Sequence, residues 1–425
     1  MTIGYLHVGP PEHGVHRYGR LLARAARQHL KATVVEATAA LDGTARDADR
    51  LRRACATLSE ADVCHIQYEP TIWGARRAAM NVKAFQVGCE VPYVTTVHDA
   101  RRGYSAWDRL RQLWEARQQA VRSRTSSTGE ANRGQEGGGS VWNDFEQGPN
   151  LSDAARGAPG SAAEAWSALV RAWQFWQQER INAEATRGVV EGASAVLVCT
   201  EAEASRLASL AGTTSLVCVP HFIEPRTLPD REEARAAFGL SPETLVVSVL
   251  GFIHRQKGHN RVVRALPHLP EDTHVMFVGT PSDPDERYAA ELQRQAAALG
   301  MADRVHITGY VDENTLNQYL AATDVAVCPF REAAASGSLS TWIAAERPLV
   351  VSDLKLFDAY QRHAPQAMRV VPDDRETAWA QAIRDQSHAE GARKQLRNLQ
   401  ARLSLSTIIQ QHATYYEQVV PLACS

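Results

Sequence analysis

The stretch Gly251–Gly258 reads Gly-Phe-Ile-His-Arg-Gln-Lys-Gly and places two basic side chains, Arg255 and Lys257, between the apolar run Leu245–Leu250 and a helical pattern that begins at His259. Main-chain N–H groups at a helix start carry partial positive charge and bind anions. The two cationic side chains add full charges that a diphosphate can bridge. The pattern predicts a phosphate site; its alternative is an ordinary strand-to-helix turn with solvated basic residues.

A second helix start, rich in small polar residues, follows the strand pattern Asp324–Phe330. Ser336 and Ser338 precede the helical pattern Leu339–Ala345 and are of the residue type that caps helices. Gly337 lies between them and leaves the first main-chain N–H groups accessible to an anion. Helix capping alone is the alternative. At the same sheet edge as the basic turn, this helix start predicts a second clamp on a diphosphate.

Glycines also end two further strand patterns of the second half. Gly279 closes one of them, and Gly309 closes the next. Tyr310 and Val311 follow Gly309 and are placed to meet a flat base with their main-chain groups. These residues predict the rim of the same binding site.

The first half opens with another strand-to-helix junction, after Ile3–Val8. Gly14 has no side chain and therefore lets a phosphate or sugar approach the main chain closely. His13 and His16 flank it, either as contacts to an acceptor or as ordinary polar surface residues.

Polar residues follow two other strand patterns of the first half. Gln67 and Glu69 end one pattern, and His98 ends the next, followed by Asp99. The carboxyl ends of parallel strands meet at one sheet edge, so these side chains are expected to point towards one crevice. A structural hydrogen bond is the alternative role for each of them.

Length and composition limit the number of domains and the classes of protein to which this chain could belong. A chain of 425 residues exceeds the size at which one core keeps growing, so two domains are expected. The formal charge of −2 gives no basic field for nucleic acid, and no apolar run is long enough to predict membrane insertion. Seven cysteines without Cys-x-x-Cys or a local His/Cys cluster predict reduced core residues in a cytoplasmic protein, with no structural metal.

Short apolar runs alternate with helical periodicity along the chain, which predicts an α/β protein with two successive doubly wound parallel sheets. A proline-containing connection, Glu224–Pro242, separates the two sets, so a boundary is placed between residues 224 and 225. The predicted strands are Ile3–Val8, Thr33–Glu36, Val63–Gln67, Tyr93–His98, Ala195–Cys199, Leu216–Val219, Leu245–Leu250, Thr273–Val278, Val305–Thr308, Val325–Cys328, Leu349–Val351 and Met368–Val371.

The segment Tyr104–Arg187 fits neither sheet and is predicted to be an insertion in the first domain, with helices Ala106–Val121 and Ala162–Arg187 around a Gly/Ser-rich loop. Six of the nine tryptophans lie here. Trp166 and Trp173 are seven positions apart and share a helix face. Packing of a helix hairpin or a homodimer contact is one interpretation. The other is an acceptor wall that stacks a sugar or encloses a cation.

These motifs together resemble the retaining nucleotide-sugar glycosyltransferases of the two-Rossmann GT-B fold, a group that includes bacterial mannosyltransferases, sucrose synthases and glycogen synthase-like enzymes. The resemblance covers most of the chain except the insertion. The segments that carry it are the Gly14-Val15 loop, His65-Ile-Gln-Tyr-Glu69 with Gly74, Val97-His98-Asp99, Val219-Pro220-His221, Gly251-Phe-Ile with Lys257-Gly258, Gly309-Tyr310, Ser336-Gly-Ser-Leu and Arg347-Pro348-Leu-Val-Val.

The resemblance implies two Rossmann-like domains facing each other across a cleft, residues 1–224 on the acceptor side and 225–404 on the donor side. Residues 405–425 are implied to be a helix that returns to the first domain. The implied catalytic residues are His98, Arg255, Lys257 and Glu332. The donor-binding residues are Gly14, Gly251, Phe252, Gly279, Tyr310, Val311, Ser336, Gly337, Ser338, Leu339 and Thr341. The expected acceptor-binding residues are His13, His16, Gln67 and Glu69, together with Trp166 and Trp173, which lie in the insertion outside the resemblance and are included for their aromatic character.

The chain departs from the family pattern at two places. Many members carry two glutamates eight positions apart, and alignment through Pro348 puts Ala333 and Thr341 there. Glu332 is the neighbouring substitute, while the Thr341 hydroxyl remains available to a ribose. Phe252 stands where many relatives have an arginine, which leaves the phosphate charge to the basic turn.

The expected function is retaining transfer of a sugar from a nucleoside-diphosphate donor to a small soluble acceptor, without a required cofactor or metal. GDP is slightly favoured over UDP. Natural-product biosynthesis is the expected setting, with lincosamide-type S-glycosylation, and hence an antibiotic pathway, as one example. The alternatives are a nucleotide-sugar 2-epimerase of similar fold and a catalytically silent partner of another glycosyltransferase.

Overall fold

The computed structural model describes residues 1–11, 13–98, 162–212, 216–281, 286–332 and 336–420. The first sheet consists of β1 (Thr2–Val8), β2 (Thr33–Ala39), β3 (Val63–Tyr68), β4 (Tyr93–Val97), β5 (Ala195–Val198) and β6 (Leu216–Cys218). The second sheet consists of β7 (Leu245–Leu250), β8 (Thr273–Val278), β9 (Val305–Ile307), β10 (Val325–Cys328), β11 (Leu349–Ser352) and β12 (Met368–Val371). The strand orders are β2-β1-β3-β4-β5-β6 and β12-β11-β10-β7-β8-β9.

The helices of the first domain and its crossover are α1 (Gly14–His29), α2 (Asp47–Thr57), α3 (Ala78–Gly88), α4 (Ala162–Gly192) and α5 (Glu201–Leu207). Those that follow are α6 (Arg231–Ala237), α7 (His259–Ala265), α8 (Glu286–Ala298), α9 (Glu313–Ala322), α10 (Gly337–Ala344), α11 (Lys355–His363), α12 (Glu376–Ser387), α13 (Ala392–Arg402) and α14 (Leu405–Val419).

The prediction of two doubly wound parallel sheets is confirmed. Neighbouring strands in both sheets pair in parallel. The central strands β3 and β4 are buried at every position, as expected where helices cover both faces of a sheet. The strand order reverses between β1 and β3 and again between β7 and β10. Ligands of open α/β sheets bind outside the carboxyl ends of the strands at such reversals.

Most predicted strand ends match the observed ones, and all but one of the others differ by a single residue. The largest difference is β2, which runs to Ala39 instead of ending at Glu36 because it pairs with β1 as far as Val8.

Helix α4 corrects the predicted carboxyl boundary of the insertion. It continues to Gly192, five residues beyond the predicted end at Arg187, and Ala185 and Val189 are buried in the first core. The Thr186 hydroxyl lies 3.4 Å from that of Tyr68. The last turns of α4 are therefore the crossover helix between β4 and β5. The predicted helix Ala106–Val121 and the Gly/Ser-rich loop lie outside the described residues.

The chain crosses between the two domains twice, and the crossings lie side by side. On the outward path the Ile223 N–H donates to the Leu403 carbonyl over 2.8 Å. On the return path α14 packs against α1, where the Gln410 side chain donates to the His29 carbonyl over 3.0 Å. The last helix is thus part of the first domain's packing.

An ion pair attaches α6 to the second sheet. Arg235 is only 1% exposed and donates to the Asp324 carboxylate and to the carbonyls of Pro242 (2.8 Å) and Thr244 (2.9 Å). Asp324 also accepts the Val246 N–H at the start of β7 over 2.8 Å. One carboxylate thereby holds a helix and a strand end together. Among the described helices, none combines the length and apolar character needed to cross a bilayer.

Candidate functional site

The candidate donor site lies where the loop after β7 meets the loop after β10. The Lys257 ammonium donates to the Ser338 hydroxyl over 2.9 Å and lies 4.3 Å from the centre of the Phe330 ring. Burial lowers the pKa of Lys257 to about 8. A cationic side chain is therefore held against the first turn of α10, whose main-chain N–H groups add positive potential.

Two serines at the start of α10 have different roles: Ser336 caps the helix, and Ser338 binds Lys257. Ser336 accepts the Leu339 N–H over 3.3 Å, so its predicted role as N-cap is confirmed. Ser338 bonds Lys257 and Ser336 (3.0 Å) and is not the cap. A Cβ atom added to Gly337 would meet nothing within 4 Å. The helix start is thus open to a ligand.

Two glycines bring the loops after β7 and β8 into contact beside this helix start. Gly251 has φ 111° and Gly279 has φ 154°, values that favour glycine. A Cβ atom added to Gly279 would lie 2.2 Å from the Gly251 carbonyl oxygen. The rim of the site therefore depends on the absence of a side chain there.

We expect Gly279→Ala to lower the free energy of unfolding by about 1–3 kcal/mol, because the added methyl group forces strained backbone apart. Urea unfolding measures this. Gly337→Ala is the matched control: it adds the same methyl group in open space on a helix and should leave the unfolding free energy nearly unchanged. Equal losses in both variants would rule out the close approach as the cause.

The other predicted donor-side residues are placed in different ways. Phe252 and Tyr310 are 61% and 85% exposed at the same edge of the sheet. Val311 packs against the small apolar cluster around Met276, and Leu339 is buried, so only its main chain is presented. Thr341 donates its hydroxyl to the Gly337 carbonyl over 3.0 Å.

The structure does not pair the two basic residues of the turn. Arg255 donates to the Glu291 carboxylate over 2.6 Å and lies 4.9 Å from the centre of the Tyr288 ring, both on α8. Glu332 is exposed after β10. In this arrangement Lys257 is the basic side chain that faces the helix start.

The first domain presents a histidine at the end of a buried hydrogen-bonded chain. His98 Nε2 lies 2.8 Å from Gln67 Oε1, and Gln67 Nε2 lies 3.1 Å from His65 Nε2. His65 Nδ1 lies 2.6 Å from the Tyr416 hydroxyl, which lies 3.0 Å from the Tyr5 hydroxyl. The chain connects the edge of the first sheet to α14.

The direction of the hydrogen bonds in this series follows from the orientation of the Gln67 side-chain amide. Gln67 Oε1 accepts from His98, so the proton of that imidazole is on Nε2 and its Nδ1 keeps a lone pair. Burial lowers the pKa of His98 and of His65 well below the usual range. His98 is therefore a neutral imidazole near pH 7 with an acceptor nitrogen.

The remaining predicted acceptor residues have structural partners. His13 caps α1 by accepting the Val15 N–H over 3.2 Å, and His16 is buried with Nδ1 3.1 Å from the Gly9 carbonyl. Glu69 accepts the N–H groups of a tight turn, including that of Thr71 over 3.0 Å. A Cβ atom on Gly14 would meet nothing within 4 Å.

Of the two tryptophans predicted to share a helix face, Trp166 and Trp173, the structure describes the side chain of Trp173. Trp173 is 59% exposed on α4. The side chain of Trp166 lies outside the described residues, and the homodimer through this segment stays a prediction.

Sequence reasoning missed the part that Tyr416 plays, since its contact with His65 spans 351 positions. No local spacing signals such a pair.

Residues 243–387 match the family described as glycosyl transferases group 1. This segment of the chain is therefore similar to the group 1 glycosyltransferases. The chain is 33% identical over 145 residues to the D-inositol 3-phosphate glycosyltransferase of Mycolicibacterium gilvum, which covers 33% of each chain. It is 32% identical over 212 residues to that of Mycobacteroides abscessus, 48% of this chain and 46% of the relative. The chain therefore matches between a third and just under half of these relatives' length.

Solved structures show the fold of the whole chain. The chain superposes on sucrose-phosphate synthase from Thermosynechococcus elongatus with a TM-score of 0.64 at 15% identity, over 100% of both chains. HepE from Anabaena in complex with UDP-glucose gives 0.63 at 15% identity, over 98% of this chain and 100% of the other. The predicted GT-B fold, with its two Rossmann-like domains, is confirmed.

Proposed function

We propose that this protein transfers a sugar from a nucleoside-diphosphate sugar to a small acceptor, with the diphosphate at Lys257 and the first turn of α10. The main observation behind this proposal is the hydrogen bond from the Lys257 ammonium to the Ser338 hydroxyl, next to the unobstructed Gly337 position. Negative charge develops on the departing diphosphate, and fixed donors aimed at that charge stabilise the transition state. The match of residues 243–387 to the group 1 glycosyltransferases supports the same reaction class.

The transfer is proposed to retain the anomeric configuration. In this mechanism the leaving phosphate takes the acceptor's proton on the same face of the sugar, so the protein has to orient and stabilise the sugar without supplying a nucleophile. The neutral His98 suits this task, because its Nδ1 lone pair can accept a hydrogen bond from a sugar hydroxyl. Gln67 fixes the tautomer that makes this possible.

The acceptor is proposed to be a small polar molecule bound on the first domain. A phosphorylated polyol is the first class to test, since the curated relatives are named for D-inositol 3-phosphate. A thiol or thione acceptor of a natural-product pathway is the second. Two donor nucleotides are to be compared. GDP is favoured by the His65–Glu69 segment, and UDP is the nucleotide of the HepE complex.

Calorimetric titration with GDP, UDP, ADP and dTDP, followed by product analysis with the matching sugar nucleotide, tests the proposal. Tight binding of one nucleotide and acceptor-dependent product are expected. Turnover of the sugar nucleotide without an acceptor would indicate a 2-epimerase instead. Failure of all four nucleotides to bind would overturn the proposal and favour a catalytically silent partner.

The affinity for the nucleotide should depend on the protonation of Lys257. Its pKa of about 8 in the free protein means that the ammonium is present below pH 8 and is lost above it. A bound diphosphate favours the ammonium, so affinity should be constant below pH 8 and fall by about tenfold per unit above it. Calorimetry at a series of pH values measures this. Lys257→Arg, whose side chain keeps its charge, should flatten the profile, and an equally steep fall in that variant would refute the assignment.

A further inference from the structure

We propose that His98, Cys199 and His221 form a zinc-binding site at the carboxyl edge of the first sheet. His98 directly follows β4, Cys199 directly follows β5, and His221 lies three residues beyond β6. These strands are neighbours in the sheet. One ligand atom from each side chain lies within 4.8 Å of the other two, so modest side-chain rotation brings all three onto one ion.

The two imidazoles present the nitrogen atoms that such a site requires. His221 Nε2 is buried and has no hydrogen-bond partner, an unfavourable state that a metal ion would relieve. His98 donates its Nε2 proton to Gln67, which leaves Nδ1 to bind the ion. A metal-bound histidine usually gives its other N–H to such an outer partner, which sets its tautomer and orientation.

Aromatic packing keeps the two rings close together and limits their movement. The Tyr18 ring lies 5.1 Å from the His98 ring and 4.8 Å from the His221 ring, measured between centroids. The two imidazoles are 5.3 Å apart and nearly perpendicular, at 88°. The ligands are therefore held by packing before any ion arrives, which lowers the ordering cost of binding.

Charge around the cluster also favours a cation. Glu203 is fully buried, and its carboxylate accepts the Cys199 N–H over 2.9 Å and the Thr200 N–H over 3.1 Å. Zinc binding exchanges the Cys199 thiol proton for the metal, and that proton leaves to solvent. The Zn²⁺ charge is then balanced by one thiolate and the adjacent carboxylate.

One thiolate and two imidazoles match the borderline-soft character of Zn²⁺ and leave a fourth tetrahedral position open.

The expected effect of zinc on activity rests on the proposed function. If the donor sugar contacts His98 Nδ1, a zinc ion on that nitrogen blocks the sugar, and Zn²⁺ inhibits transfer in competition with the sugar nucleotide.

The full-length protein, stripped with a chelator, is titrated with Zn²⁺ by calorimetry and with Co²⁺ by absorption spectroscopy. One ion per chain and a thiolate-to-cobalt charge-transfer band are expected. Cys199→Ser should abolish the band. His221→Gln should weaken Zn²⁺ binding at least about 100-fold, since even the outer partners of metal ligands contribute about 10–100-fold.

Two control variants separate this site from other places that can hold a metal ion. Cys218→Ser removes the exposed thiol at the end of β6, and His306→Gln removes one ring of the His274–His306 pair, whose nitrogens lie 2.9 Å apart. Both variants should bind Zn²⁺ like the parent protein. Loss of binding in either control, with binding retained in Cys199→Ser and His221→Gln, overturns the proposal, as does absence of binding by the folded parent.

Failure of the zinc site and failure of the proposed function give different results. Lys257→Ala should lose nucleotide binding and keep the cobalt band. Cys199→Ser should keep nucleotide binding and lose the cobalt band. A parent protein that binds zinc but no nucleotide would retain the metal site and refute the transferase. Thermal unfolding of each variant shows that it is folded, and the partly exposed His221 position gives a second test if Cys199→Ser does not fold.

Discussion

Lys257→Ala is expected to lower the rate of sugar transfer by about 10²–10³-fold, the usual cost of removing one well-placed donor from a charge-stabilising site. The ammonium is the group that the structure holds against Ser338 and the start of α10. Its loss leaves the phosphate with the main-chain dipoles and the serine hydroxyls of the helix start, and without the nearby full charge. Steady-state kinetics and nucleotide calorimetry on the same preparation measure the effect on the transition state and on binding.

Lys355→Ala is the matched control for this experiment, because it removes an exposed lysine from the same domain, and its kinetics should equal those of the parent protein. Ser338→Ala should give an intermediate loss, since the lysine keeps its charge but loses its partner. Unchanged binding and transfer in Lys257→Ala would place the diphosphate elsewhere, with Arg255 the next candidate once it leaves Glu291.

Asp324→Ala is expected to lower the free energy of unfolding by about 3–5 kcal/mol, the cost of leaving a buried charge without its partner. Arg235 is 1% exposed and cannot turn to water without opening the packing between α6 and α9. The Val246 N–H at the start of β7 also loses its acceptor. Urea unfolding, followed by circular dichroism, gives the difference.

The control for this variant uses the same carboxylate. Arg231 donates to the outer oxygen of Asp324 over 2.6 Å, but its side chain is 38% exposed. Arg231→Ala should therefore cost less than about 1 kcal/mol, as exposed ion pairs do. Comparable losses in the two variants would mean that the burial of Arg235 is not what makes Asp324 important.

The second domain was the more predictable half. Runs such as Leu245–Leu250 are apolar except for Ser248 because both faces of the sheet are covered, and that pattern is visible in the sequence. The candidate donor site could be proposed from the sequence for a related reason. Lys257 lies in the connection that follows β7, and Ser338 lies in the first turn of the helix that follows β10. Parallel topology brings such connections to the same edge of the sheet.

The first domain was less predictable, because its site depends on contacts between distant residues. Glu69 is suited to binding a ligand by residue type, yet its carboxylate holds a turn. His98, Cys199 and His221 show no metal-binding spacing in the sequence and meet only because β4, β5 and β6 are adjacent. Arg255 had the right charge and position, but its partner on α8 could not be read from the loop.

The contact between His65 and Tyr416 also bears on the order of events during synthesis. The first sheet can form once its strands have left the ribosome, but the hydroxyl that receives the His65 proton belongs to α14, which is made only after the whole second sheet. Domains usually fold as units, amino-terminal first, as the chain emerges. Here the first domain has to wait for the second to be translated before His65 acquires the Tyr416 hydroxyl as its partner. A nascent chain that lacks α14 therefore carries an incomplete hydrogen-bonded chain behind His98.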